Sequence, residues 1–229
     1  MKAPTLSQIT GCDESHLIGL PCGHQMQVDA ARAYERLCSD ATNAGFQLAI
    51  ASSFRSFERQ RVIWNGKASG ERPVHDDAGE PLAMHSLSAI EQLHAILRFS
   101  ALPAASRHHW GTDIDVYDAG AVESSYCVQL SPKEVAAGGV FDMFHCWLDG
   151  KISAGESHGF YRPYALDRGG VAPERWHLSY RPVADICARQ VSIETLRQCW
   201  DSGAGELLLR AEVDAQLPEL VARYVTLAE

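Results

Sequence analysis

Three short stretches of this chain carry residues that could do metal chemistry together. They are Ser106-Arg107-His108-His109-Trp110-Gly111-Thr112-Asp113-Ile114-Asp115, Glu174-Arg175-Trp176-His177, and Ser53-Phe54-Arg55-Ser56. His108, His177 and Asp115 supply two imidazoles and one carboxylate, a set that suits a zinc ion with three protein ligands and a fourth position open to water. Glu174 precedes His177 by three residues and is placed to take a proton from that water.

The neighbouring residues indicate how these groups converge. Thr112-Asp113-Ile114-Asp115-Val116-Tyr117 alternates polar and apolar, so a strand here turns Ile114 and Val116 to a core and Asp113 and Asp115 to the opposite face. Trp176-His177-Leu178-Ser179-Tyr180 alternates likewise and puts His177 on the side of Ser179. Two half-buried strands thus present one ligand each to the floor of a cleft. His108 would enter from the loop before the first strand, with Gly111 permitting a tight turn between them.

At these residues a family resemblance emerges. The stretch Ser106 to Asp115 resembles the S-x-H-x-x-G-x-x-x-D signature of the zinc D-alanyl-D-alanine carboxypeptidases and dipeptidases of the VanY/VanX type (peptidase family M15). Glu174 to His177 resembles their E-x-W-H signature, and Ser53, Arg55, Ser56 and Gln60 resemble their S-x-R-S-x-x-x-Q segment. Any one piece is weak; three in the family's order make a specific signal. The matched region runs from about residue 46 to Tyr180. It departs from the family at Asp113, where a small residue is usual, and at the second histidine, His109.

The resemblance implies an α+β fold, a small antiparallel sheet flanked by helices, with the zinc cleft on the sheet as in the DD-peptidases and the Hedgehog signalling domain. It implies one zinc ion per chain, metal-assisted amide hydrolysis with Glu174 as base, and Arg55 stabilising the transition state. The substrate implied is a peptidoglycan peptide ending in D-alanine, cut in carboxypeptidase mode. Ser106, Gln60 and Asp113 are assigned to substrate contact, Asp113 also standing as a support for the ligands because the ligand count is already filled. Two alternatives are an endopeptidase cutting cross-linked wall peptides and a zinc-dependent binding module without catalysis. The presence of both Glu174 and Arg55 argues against the second.

Composition bounds the rest. At 229 residues and 46% hydrophobic content, the chain fits one peptidase domain with a catalytic part at about 46–182 and helical terminal additions. A net charge of -9 without a basic run argues against binding nucleic acid, which relies on Lys and Arg to neutralise phosphates. The seven cysteines are scattered, with no C-x-x-C spacing, so they form neither a disulfide framework nor a zinc knuckle. No stretch approaches the ~18 consecutive apolar residues of a membrane span, and no signal peptide is visible. The expected compartment is the cytoplasm, with signal-independent export as the alternative.

The elements needed to position the site also have signals. Val28, Ala31, Tyr34, Leu37 and Cys38 recur at helical spacing and predict a helix over 27–43. A strand follows over 46–52, with Arg55 at its end and a helix from Ser56 that carries Val62 and Trp64. The Gly/Pro/charge-rich interval 66–81 reads as an exposed loop that could cover the site. Further helices are expected over 88–99 and 133–148, and from Ile193 and Pro218.

Overall fold

The computed structural model describes residues 3–202 and 205–226. In chain order its elements are α1 (Leu6–Ile9), β1 (Leu17–Gly19), β2 (Gln25–Gln27), α2 (Val28–Asn43), β3 (Leu48–Ser52), α3 (Phe57–Ala68), α4 (Ala89–Leu97), β4 (Asp113–Asp118), α5 (Pro132–Val135), α6 (Asp142–Ser153), β5 (Phe160–Tyr161), β6 (His177–Tyr180), α7 (Arg181–Ala188), α8 (Ile193–Asp201) and α9 (Arg210–Leu220), the last continued by a π-helical turn, Val221–Val225. Two antiparallel sheets form, a hairpin of β1 and β2 and a four-stranded sheet in the order β3-β4-β6-β5. The fold is α+β with small antiparallel sheets, as the family resemblance implies.

The four-stranded sheet buries one face against α2 and α6. Ile50, Ile114, Val116 and Leu178 meet Leu37, Phe144 and Leu148 there, all of them buried. A second core lies among α3, α4, α8 and α9, built on Trp64, Leu93, Ile96, Leu196, Trp200 and Val213. Its two indoles donate to main-chain carbonyls, Trp64 to Leu208 and Trp200 to Pro103, at 2.9 Å each, so neither N–H is left unpaired on burial. The opposite face of the sheet, carrying Asp113, Asp115, His177 and Ser179, is left for the site.

Caps define the helices around the site. Ser56 caps α3 by accepting from Arg59 N–H, and Glu58 lies in the first turn, where acids complement the helix dipole. Helix α3 therefore starts at Phe57, two residues beyond Arg55. Ser88 and Glu91 form a capping box at the start of α4.

Three expectations need correction. The helix predicted over 133–148 is two helices, α5 and α6, separated at Gly138 and Gly139. Gly138 has φ +78°, and a Cβ on Gly139 would lie 2.5 Å from the Lys133 carbonyl oxygen, so the chain turns sharply where the apolar spacing runs on. The last helix begins at Arg210, and Pro218 lies inside it rather than at its start. The loop predicted over 66–81 is shorter at its beginning, because α3 runs to Ala68.

Candidate metal centre

Strand register builds the site. Asp115 pairs with His177 and Asp113 with Ser179 across β4 and β6, and side chains on one face of an antiparallel pair meet directly. A register shift in β3 between Ile50 and Ser52 brings Ser52 opposite Asp115, a bulge that aims the following residues at the site. His108 enters on a 3-10 turn, Arg107–Trp110, closed by Gly111 at φ +68°. A Cβ on Gly111 would lie 2.4 Å from Leu17 Cδ2 and 2.9 Å from the Gln27 nitrogen, so only glycine both turns the chain and fits beneath the β1–β2 hairpin.

The three expected ligands converge. His108 Nε2 is 3.4 Å from Asp115 Oδ2, and His177 Nδ1 is 3.2 Å from Asp115 Oδ1. One donor atom from each residue lies within 4.8 Å of the others, and all three side chains are buried. Hydrogen bonds fix which ring nitrogens face inward. His108 Nδ1 is 2.8 Å from the Ser53 carbonyl oxygen, which can only accept, so Nδ1 carries the proton and Nε2 keeps its lone pair. His177 Nε2 is 2.9 Å from Asp113 Oδ1, which leaves Nδ1 for the centre. Asp115 Oδ1 is buried without a hydrogen bond, an orphaned acceptor that calls for a cation. Two imidazole lone pairs and such a carboxylate fit a zinc ion.

Electrostatics agree with that use. Burial outweighs Asp115 and holds His108 down to about 4, so its imidazole is neutral at pH 7 and free to ligate. His177, though desolvated, is pushed well above its ordinary value by Asp113, Asp115 and Glu174. Three carboxylates around one imidazole mark a centre built for positive charge.

Asp113 is not a substrate contact. It is fully buried and does not line the cavity; its Oδ1 accepts from Arg107 Nε at 2.8 Å and His177 Nε2, and its Oδ2 from Thr112 and Ser179 hydroxyls at 2.6 and 3.0 Å. Burial alone would raise its pKa, but the Arg107 charge and the His177 hydrogen bond hold the carboxyl well below the usual range. The additional acid is therefore neutralised by Arg107 and serves to orient His177. Arg107 lies six residues before Asp113 in the sequence, outside the strand whose alternation set the expectation for Asp113.

Glu174 sits over His177, with Oε2 3.4 Å from His177 Nδ1. The His177 N–H donates to the Glu174 carbonyl at 3.1 Å, and the Glu174 N–H to the Tyr164 carbonyl at 3.0 Å, which fix the turn that stacks them. Burial raises the Glu174 pKa against the opposing pull of His177, making its carboxylate a stronger base. The Arg55 guanidinium donates to Gln60 Oε1 at 2.8 Å and to Ser52 Oγ at 3.1 Å. Its backbone is strapped to the His108 turn: Arg55 N–H donates to the His108 carbonyl, and His109 Nδ1 donates to the Arg55 carbonyl at 2.6 Å. His109 Nε2 accepts from Ala104 N–H. Both its nitrogens are thus used away from the metal donors.

Gln60, also assigned to substrate contact, is fully buried and absent from the cavity wall. Its Nε2 donates to the Ala101 carbonyl at 2.7 Å while its Oε1 holds Arg55. Gln60 positions the arginine. It falls on the buried stripe Phe57, Gln60, Trp64 of α3, a helical spacing that could have flagged it. Ser106 does line the cavity, 2% exposed.

The cavity beside these residues has a volume of about 490 Å³, within the range of small-molecule sites. The interval expected to cover the site supplies Val74, His75, Asp76 and Gly79 to its wall, and residues 129–133 face it from another element. Lys133 reaches Glu80 at 3.2 Å, linking these two segments. Tyr164, Lys67 and Ser100 also line it; sequence patterns gave no reason to single them out.

The comparisons with known proteins bear on this geometry. A profile of VanY, D-alanyl-D-alanine carboxypeptidase, matches residues 23–183, which span both strands, the His108 turn and Arg55. The chain belongs to the VanY D-alanyl-D-alanine carboxypeptidase family. VanY-family structures share the fold: VanYB in complex with D-alanine-D-alanine superposes with a TM-score of 0.52 at 20% identity, over 87% of this chain and 88% of the other. A Glu-to-Ala mutant of the vancomycin-resistance D,D-pentapeptidase VanY from a VanB-type cassette, in complex with Zn(II), superposes with a TM-score of 0.50 at 22% identity, over 86% and 88%. Two uncharacterised proteins of Haemophilus influenzae (strain ATCC 51907 / DSM 11121 / KW20 / Rd) are similar in sequence. One is 46% identical over 102 residues, 43% of this chain and 70% of that protein; the other is 32% identical over 127 residues, 54% and 92%. The VanY family is a family of peptidoglycan peptidases, and no helix among the described residues is long and apolar enough to cross a membrane.

Proposed function

We propose that this protein is a zinc-dependent carboxypeptidase that removes a terminal D-alanine from peptidoglycan-derived peptides, with one zinc ion per chain on His108, Asp115 and His177. The observation that carries the reading is the convergence, in one cavity, of two oriented imidazole nitrogens, an orphaned carboxylate oxygen, a buried glutamate and a guanidinium without an acidic partner among the described residues. A zinc ion held by His108, Asp115 and His177 would supply Lewis acidity toward water and a peptide carbonyl. Glu174 takes a proton from the attacking water and returns it to the leaving amine. Arg55, held by Gln60 and Ser52, donates to the oxygen on which negative charge develops. Asp113 keeps the His177 ring in the orientation that turns Nδ1 inward.

Family membership and the D-alanine-D-alanine bound to the related VanYB support the substrate class. The compartment we propose is the cytoplasm, where the seven cysteines, all free thiols, would stay reduced. The test is a product screen on wall peptides of defined stereochemistry, run with wild type and Glu174→Gln. Free D-alanine released by wild type alone supports the reading; cleavage only at internal cross-links would replace it with an endopeptidase.

A further inference from the structure

Four cations contribute to the cavity wall, and they divide into two kinds. Arg107 is paired with Asp113, and Lys133 with Glu80. Arg55 and Lys67 form no ion pair with any acid among the described residues. The two hydrogen bonds of Arg55 go to the neutral Gln60 and Ser52, and Lys67 Nζ donates to Ser100 Oγ at 2.7 Å. Lys67 is also largely removed from solvent, and burial, followed by the nearby Arg55 charge, pushes its ammonium down to about 8. A desolvated cation held only by a hydroxyl is costly unless an anion completes it.

Local structure aims this group at the cavity. Ile63 and Lys67 stand one helical turn apart on α3, and both line it. The adjoining segment is clamped along the same helix, because Ser100 takes Lys67 and Ala101 takes Gln60, and Phe99, Ser100 and Ala101 all face the space. The charges then sum simply. Of the acids on the wall, Asp115 and Glu174 would be offset by a divalent ion and Asp76 accepts from the Ala78 and Glu80 N–H groups, so Arg55 and Lys67 remain as cations without an ion-pair partner among the described residues. A peptide with a free carboxylate and a carbonyl developing negative charge would meet both.

We propose that Lys67, with the Ser100 hydroxyl, forms a carboxylate subsite that holds the free terminal carboxylate of the substrate, while Arg55 serves the reacting carbonyl. The subsite rests on the peptidase reading above and adds the group that selects a chain end over an internal bond. Lys67 thereby takes the role that the sequence pattern gave to Gln60, whose amide is committed to Arg55 and Ala101.

The experiment compares an N-acetylated peptide ending in D-alanyl-D-alanine with its carboxyl amide, on wild type, Lys67→Met and Lys67→Arg, measuring kcat/KM together with binding at pH 7. Wild type should prefer the acid by at least ~10-fold in both readouts, equivalent to about 1.4 kcal/mol. Lys67→Met should bring that preference to ~2-fold or less, chiefly by raising KM for the acid, while amide turnover stays within ~2-fold of wild type. Lys67→Arg keeps the charge and should keep most of the preference. An acid preference that survives in a folded, active Lys67→Met protein overturns the subsite, as does a wild type that binds acid and amide alike. A wild type that binds the acid selectively yet hydrolyses neither peptide would sink the peptidase reading and leave the subsite standing.

Discussion

Replacing Asp113 by asparagine should separate its charge from its shape. In the folded protein Asp113 is fully buried, and its partner Arg107 is 5% exposed at 2.8 Å. Asparagine keeps an oxygen able to accept from His177 Nε2–H, and the Thr112 and Ser179 hydroxyls can rotate to accept. What it cannot do is offset the Arg107 charge. Removing one member of a buried ion pair costs about 3–5 kcal/mol, and for a protein of this size each kcal/mol moves Tm by about 2–4 °C. The metal-free variant should therefore melt roughly 6–20 °C lower and show a reduced urea midpoint with an unchanged m value. Asp113→Ala removes the acceptor as well, and should additionally weaken zinc binding by about 10–100-fold in a chelator competition. The coupling to Arg107 is checked by Arg107→Met in the Asp113→Asn background, which should recover part of the loss. An Asp113→Asn protein within ~0.5 kcal/mol of wild type, the scatter of an ordinary surface substitution, would refute the buried-pair argument.

Other outcomes follow from the same geometry. Because Asp113 titrates lower in the folded than in the unfolded chain, its contribution is present above about pH 4 and is lost as pH falls further through the folded value; acid unfolding curves of wild type and Asp113→Asn should converge in that range. Glu174→Gln should retain zinc while turnover drops by ~10²-fold or more, and parental turnover would remove Glu174 from the role of base. Gly111→Ala forces a side chain into φ +68° against Leu17 and the Gln27 backbone and should cost at least about 1–3 kcal/mol, read by urea unfolding. For the acid peptide, kcat/KM should decline as pH rises through about 8, where free Lys67, facing Arg55, Arg72, Glu174 and Ser100, loses its proton; Lys67→Met should lack that limb.

Much of the site was legible because its residues lie in short, patterned runs. Alternation on both sides of Asp115 and His177 foretold which face each would take, and the strand register then brought them together. Ser56 and Ser88 marked helix starts through their caps. What escaped has physical reasons. The Ser53 carbonyl that orients His108 is a backbone atom and leaves no trace in residue type. Asp113 read as a cleft acid because strand periodicity gives its face but not the Arg107 that neutralises it. Gln60 and Lys67 lie on one helix, and their different fates depend on the packing of the segment from Phe99 to Ala101, which is distant in sequence. The break between α5 and α6 came from two glycines inside an otherwise helical spacing, and the short strand β5, Phe160–Tyr161, is too brief for any periodicity to show.

The most direct test of the central claim is a zinc titration of chelator-stripped protein, following release of D-alanine from a peptide ending in D-alanyl-D-alanine. We expect no release from the stripped protein, activity that rises linearly and breaks at one equivalent of zinc per chain, and neither tight binding nor activity in His108→Ala or His177→Ala. Release that is independent of zinc, or full activity in those two variants, would contradict a metal centre on His108, Asp115 and His177.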